Sequence, residues 1–441
     1  IEIMRIKFLV LFFLIFLQSS HVFSKIFDSK EFFLDNGLRV VLIENNRAPV
    51  VTQMIWYNVG SVDESYGKSG LAHFLEHLMF KGTKNFPDNY FSKFISSNGG
   101  SENAFTSFDY TAYYQTIPSE KIEQIIELEA DRMQNLTLTK EQVSTERKVI
   151  LEERYQRIDS RPPSILDESL RKSLFPNHTY GTPIIGWEHE IKSLKFDDIF
   201  NFYKKYYVPH NATVVLSGAL SLEKAKKLTK KYYGQIKSNM KSIDRLSLSD
   251  PKILTNSRIT YNNPDIKQKI WKRIYKVSSY KESIKEGIAL DIGLKILAGG
   301  STSILYDEFV KKRKIVSAIG GYYQGMTRDK GTVYFYAIPN KDIAILELEK
   351  LIDEKMFDAL NNKITKEKFE IQKNNYEYEA IYLRDSSFQP AQIIGEALTI
   401  GMSLDEIENW NENLKNLTIK DVKTALEKFL NNKNYVTGIL G

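Results

Sequence analysis

The chain has six histidines in 441 residues. Two of them, His73 and His77, lie four residues apart with Glu76 between them, inside the apolar stretch "SGLAHFLEHLMF". A four-residue spacing puts both imidazoles on one face of a helix. Glu76, three residues after His73, lies near that face. Two neutral imidazoles one turn apart can hold a zinc ion. A carboxylate beside them can take a proton from water activated by the metal. Ser69 is the expected N-cap of this helix. A buried histidine is more often a hydrogen-bonded core residue. Here three ionisable groups sit among leucines, phenylalanines and a methionine. Burying them is costly unless something compensates, and a metal would do so.

The order H-x-x-E-H is one of the arrangements used by metallopeptidases. A catalytic zinc site needs a third protein ligand and keeps one position open. The chain has no cysteine, and His178 and His189 are too far apart for a one-turn site. Their segment, "FPNHTYGTPIIGWEHEI", reads as loop. The richest acidic helix is "STERKVILEERYQR". Glu146 and Glu153 are seven residues apart there and share a face, whereas Glu152 is turned by about 100°. The shared face favours Glu153 as the third ligand and Glu146 as a carboxylate that orients a ligand histidine. The same glutamates fit an ordinary solvated helix face equally well.

Folded elements must position these groups, and the composition supplies them. It is 42% hydrophobic, 12% aromatic and 26% charged, which suits sizeable cores rather than disorder. A net charge of +6 from 61 basic and 55 acidic residues, with lysines scattered along helices, argues against a nucleic-acid partner. The N-terminus reads differently. "MRIK" is followed by the apolar run "FLVLFFLIFL" (Phe8 to Leu17) and the polar "QSSHVFS". That layout predicts a signal peptide over residues 1–24 and a periplasmic location; left uncleaved, it would be an N-terminal membrane anchor. The lack of cysteine excludes a lipoprotein anchor and disulfides, so the exported chain must be held by packing alone.

The chain repeats itself at half-length. "VTQMIWYNVGSVDES" matches "IKQKIWKRIYKVSSYKES", pairing Trp56 with Trp271. "YTAYYQTIPSEKIEQIIELEADRM" matches "GTVYFYAIPNKDIAILELEKLIDEKM", and "LTLTKEQVSTERKVILEER" matches "NKITKEKFEIQKNNYEYEA". The order predicts two copies of one domain, 26–240 and 260–441, joined by a polar connector at 241–259. Strand-like stretches such as "LRVVLIEN" alternate with helical patterns such as "SEKIEQIIELEADRMQNL". The expected fold class is α+β, each copy a mainly antiparallel sheet with helices packed on one face.

Three stretches, "GLAHFLEHLMFKGT", "NGGSENAFTSFDYTAYY" and "ERKVILEE", carry a family resemblance. The chain resembles the pitrilysin or insulinase zinc metallopeptidases, in particular short bacterial members similar to the β subunit of mitochondrial processing peptidase. The resemblance implies a clam-like pair of domains around one chamber, peptides as substrates and one zinc per chain. It implies His73, His77 and Glu153 as zinc ligands, Glu76 as general base, and Glu146 supporting a ligand. Asn103 and Ala104 of "ENAFTS" would bind the substrate backbone by strand addition.

The second copy has "GIALDIGLKIL" where the first has the histidines. Leu290 and Leu294 replace them, and Gly293 replaces the glutamate. Self-sufficient family members also carry an arginine and a tyrosine in a second-domain stretch like "LREKRGLAYS". In "YDEFVKKRKIVSAIGGYY" Val310 and Ser317 fall on those positions, with Arg313, Tyr322 and Tyr323 as nearby substitutes. The resemblance then implies the zinc-bearing chain of a two-chain peptidase, with a homologous partner supplying the pair, or a homodimer. A noncatalytic peptide-binding or scaffold subunit of the same fold is the alternative.

Overall fold

The computed structural model describes residues 25–441 except 239, 240, 242, 244, 246, 247, 252, 253 and 433. The expected signal peptide, 1–24, lies outside the described residues. Among those described, no helix is long and apolar enough to cross a membrane.

The fold is α+β, built on two mixed, mainly antiparallel sheets. The first runs in the order β1 (Lys30–Phe33), β2 (Arg39–Glu44), β6 (Ala212–Gly218), β3 (Val50–Tyr57), β5 (Thr111–Pro118), β4 (Ser101–Thr106). Only the β2–β6 pair is parallel. The second runs β7 (Ser257–Tyr261), β11 (Tyr435–Leu440), β8 (Ile270–Val277), β10 (Gly331–Pro339), β9 (Val316–Gln324), again with one parallel pair, β7–β11. The second sheet starts at Ser257, inside the stretch read as connector. Pro118 and Pro339 close β5 and β10 at matching places, where a residue without an N–H can end a ladder.

Sequence explains the central strands. "VVTQMIWY" is β-branched and aromatic, and every residue from Val51 to Tyr57 is buried. Alternation fails there because both faces are covered. One face carries the first half's own helices, including Leu71–Leu78, Ile122–Asn135, Lys140–Arg154 and Phe196–Tyr206. Phe74, Leu75, Ile126, Ile150 and Phe202 meet Ile55 and Leu216 in that core. The other face receives a helix from the second half, Phe388–Thr399, which lies on β3 and β6. The exchange is reciprocal: Pro162–Leu174, from the first half, lies on β11, β8 and β7. Its Leu166, Leu170 and Leu174 pack with Ile274, Val436 and Leu440.

This arrangement corrects the pairing of the tryptophans. Trp56 shares a core with Ala391 and Ile394 of the helix lent by the second half. On β8 it is Lys272 that reaches the lent helix, through Asp167 and the Pro163 carbonyl. Trp271, its neighbour, therefore faces the opposite side. The strands correspond, but the two tryptophans occupy opposite faces. The N-terminal segment adds a second link between the halves. Buried Glu408 accepts the amides of Phe27 (2.9 Å) and Ser29 (2.8 Å).

Candidate metal centre

The helix Leu71–Leu78 is short, and its start is fixed by a carboxylate. Gly70 is the N-cap, at φ +84°, and offers no side chain. Glu64 accepts the amides of Gly70 (2.9 Å) and Ala72 (2.8 Å) instead. An anion suits a helix N-terminus. Burial nonetheless pushes the Glu64 carboxyl well up, against those two bonds. Ser69 is thus not the cap: its hydroxyl accepts the amide of Trp187 at 2.8 Å. That ties the helix start to the loop after Pro183.

The helix Lys140–Arg154 begins with a capping box between Thr139 and Gln142. It packs beside Leu71–Leu78 and brings its acidic face to the histidines. Nitrogen or oxygen atoms of His73, His77 and Glu153 all lie within 4.8 Å of one another. His77 Nε2 is 3.3 Å and His73 Nε2 is 3.7 Å from Glu153 Oε2. The longer separation is not a hydrogen bond. Ligand atoms around a tetrahedral zinc with bonds of about 2.0–2.2 Å stand roughly 3.3–3.6 Å apart. The His77–Glu153 separation falls in that range and the His73–Glu153 separation just above it, so this trio could hold a zinc ion after a small adjustment.

The surrounding groups orient this trio. Glu146 Oε1 lies 2.8 Å from His77 Nδ1, and Lys81 Nζ lies 2.6 Å from Glu146 Oε2. Burial raises the Glu146 carboxyl, but His77 and Lys81 outweigh it and hold it low. Arg157 Nη1 lies 2.9 Å from Glu153 Oε1, one turn further on. Burial disfavours charge on both histidines. For His73 burial wins, with His77 adding to it, and its pKa falls to about 4. For His77 the bonds to Glu146 and Glu153 win, and its pKa rises to about 9. Burial pushes Glu76 up as well, and a hydrogen bond from Thr106 partly offsets this.

β4 is the outermost strand of its sheet on the side of the site. Asn103 pairs with Tyr114 and Ala104 with Tyr113 of β5. The Ala104 amide donates to Asn103 Oδ1 at 2.8 Å. Glu64, Lys81, Thr106 and Arg157 were not singled out from sequence. Lys81 follows His77 by four and Arg157 follows Glu153 by four, so helical spacing could have flagged both. Nothing local signals Glu64 or Thr106.

The chain is similar to proteins of a known family. The family description "Insulinase (Peptidase family M16)" matches residues 39–188, and "Peptidase M16 inactive domain" matches residues 193–376. A zinc protease of Helicobacter pylori, PqqE, is 30% identical over 90% of this chain and 89% of its own length. The chain belongs to peptidase family M16, the insulinase family.

A probable mitochondrial-processing peptidase subunit beta of Arabidopsis thaliana is 30% identical across 53% of the M16 chain, or 44% of the relative. The crystal structure of a Helicobacter pylori protease matches with a TM-score of 0.88 at 28% identity, covering 94% of this chain and 99% of that one. The one group of side chains among the described residues that could hold a metal lies in the first half. Leu290 and Leu294 are buried in the helix Ile284–Ala298 of the second half. A Cβ on Gly293 would stand 2.9 Å from Leu426.

Proposed function

We propose that this M16 chain is a zinc-dependent endopeptidase acting on peptides or unfolded segments, with His73, His77 and Glu153 holding one zinc per chain. The observation that carries the reading is the convergence of these three side chains beside Glu76. Its relative PqqE is named a zinc protease. Bound there, zinc would supply Lewis-acid polarisation of the scissile carbonyl and activation of water.

The protein's own residues do the rest. Glu76 takes the proton from the attacking water and passes it to the leaving amine. Burial keeps it basic enough to do so. Glu146 holds His77 in the tautomer with its proton on Nδ1, so that Nε2 faces Glu153. Asn103 and Ala104 sit on an edge strand, which suits an extended peptide adding beside β4. An arriving strand would replace the bond between the Ala104 amide and Asn103 Oδ1. In this reading the domains are 26–240 and 260–441, the peptide lies in a chamber between them, and the leader directs export.

The second half supports a dependence on a partner. Lys314 has φ +55° and falls where the family stretch "LREKRGLAYS" has glycine. That favours the register placing Val310 and Ser317 at the arginine and tyrosine positions. Val310 packs partly buried against the core, and Ser317 is exposed on β9 with Gln268 at 3.1 Å. Neither can supply a cation or a phenol. This supports a homologous partner chain supplying both groups, with a homodimer as the alternative. The test is peptide hydrolysis by the purified chain alone, with zinc content measured on the same sample. Zinc without hydrolysis supports the partner; hydrolysis by the chain alone removes the need for one.

A further inference from the structure

We propose that Thr106 is a positioning residue that ties Glu76 to the strand on which the substrate would lie. This rests on the reading of Glu76 as general base. The Thr106 hydroxyl donates to Glu76 Oε2 at 2.5 Å. One carboxylate oxygen is thereby engaged, which leaves Oε1 for the attacking water. The side chain is β-branched and therefore stiff about χ1.

The backbone that carries Thr106 is held as well. Thr106 is the last residue of β4 and pairs with Thr111. The hairpin tip beyond it is closed by the Ser107 amide on the Tyr110 carbonyl, at 2.8 Å. That tip is bound to the loop before the histidine helix: the amides of Ser61 and Val62 donate to the carbonyls of Ser107 (3.1 Å) and Phe108 (2.9 Å). Thr111 donates its hydroxyl to the Val59 carbonyl at 2.9 Å. The Thr106 hydroxyl is thus mounted on a braced corner.

Strand alternation puts Ala104 and Thr106 on the same face of β4, with Asn103 and Phe105 on the other. Phe105 packs edge-on against Trp56, which seats that other face. A peptide added along the edge at Ala104 would bear on the strand that ends in the hydroxyl holding the base. Docking of the substrate and orientation of Glu76 then share one rigid element.

The test uses the zinc-loaded full chain, with its partner if it needs one, carrying Thr106→Val or Thr106→Ser, alongside Glu76→Gln. Peptide hydrolysis and crystal structures of each are compared. In Thr106→Val, kcat should fall about 10- to 100-fold, as for other groups that orient a functional side chain, with KM nearly unchanged. Zinc content should be unchanged, and the Glu76 carboxylate should leave its place. Thr106→Ser should restore both the rate and the carboxylate position. Glu76 unmoved in Thr106→Val, or a rise in KM with kcat intact, would overturn the assignment. If Glu76→Gln itself turns over normally, the base reading fails and this inference with it. If Glu76→Gln is silent while Thr106→Val is normal, only the inference fails.

Discussion

His77 Nδ1 lies 2.8 Å from Glu146 Oε1, and this contact decides which nitrogen of His77 faces Glu153. With Nδ1 donating to Glu146, Nε2 is the atom at 3.3 Å from Glu153 Oε2. A carboxylate behind a ligand imidazole both fixes the tautomer and makes the free nitrogen more basic. Glu146→Gln should therefore weaken zinc binding by about 10- to 100-fold. Competition with a chelator measures it. Unchanged affinity would mean that His77 is not a ligand through Nε2.

Zinc affinity should rise with pH up to about 9. Without metal, the bonds to Glu146 and Glu153 overcome burial and hold a proton on His77 up to about that pH, whereas burial keeps His73 neutral. Zinc must displace the His77 proton, so each unit of pH below about 9 costs roughly a factor of ten in affinity. In the metal-free chain the sign of the stability effect is opposite. The folded-state pKa of His77 lies above its unfolded value, so its contribution is full below about pH 6.5 and is lost as pH rises through about 9. Chelator competition between pH 6 and 9 follows the first effect; urea unfolding of the apo chain follows the second.

Glu76→Gln should keep zinc and lose roughly 10²- to 10⁴-fold in kcat, the usual contribution of a general base. Zinc content and peptide turnover on the same preparation give both numbers. Normal turnover would assign the base elsewhere.

Gly293→Glu, in the buried helix Ile284–Ala298, should destabilise the second half. The new Cβ would meet Leu426 at 2.9 Å, and the position is buried in the core of the second half, so the carboxylate would be taken out of water. The cost should exceed about 3 kcal/mol, read from urea unfolding. A variant as stable as the natural chain would mean that this region opens to solvent.

The site was partly legible because helices translate spacing into direction. His73, Glu76 and His77 share one short helix, and Glu146 and Glu153 share another, so both faces could be read residue by residue. That the two faces meet is a tertiary fact, and sequence alone left the glutamates equally suited to solvent. Glu64 and Thr106 reach the site from a loop and a hairpin, where no periodicity points. The α+β class followed from alternating strand and helix patterns, and the two copies from repeated segments in the same order. The Trp56–Trp271 match misled because a shift by an odd number of residues turns a strand side chain to the other face. Leu166, Leu170 and Leu174 announce a buried helix face by their four-residue spacing. Nothing in that spacing says that the buried face lies against the other half's sheet.

The partner reading makes its own prediction. Val310→Arg combined with Ser317→Tyr should raise the turnover of the isolated chain by about a hundredfold or more, the lower end of what one oxyanion-binding group contributes. Peptide assays without any partner measure it. No gain, with the fold intact by circular dichroism, would mean that these positions do not face the site.

The central claim is that one zinc ion sits between His73, His77 and Glu153. Anomalous diffraction at the zinc edge, from crystals of the metal-loaded chain, tests it most directly. The account predicts a single strong peak about 2.0–2.2 Å from the two Nε2 atoms and the Glu153 carboxylate. A peak elsewhere, or none at that place in a protein that retains zinc, would contradict it.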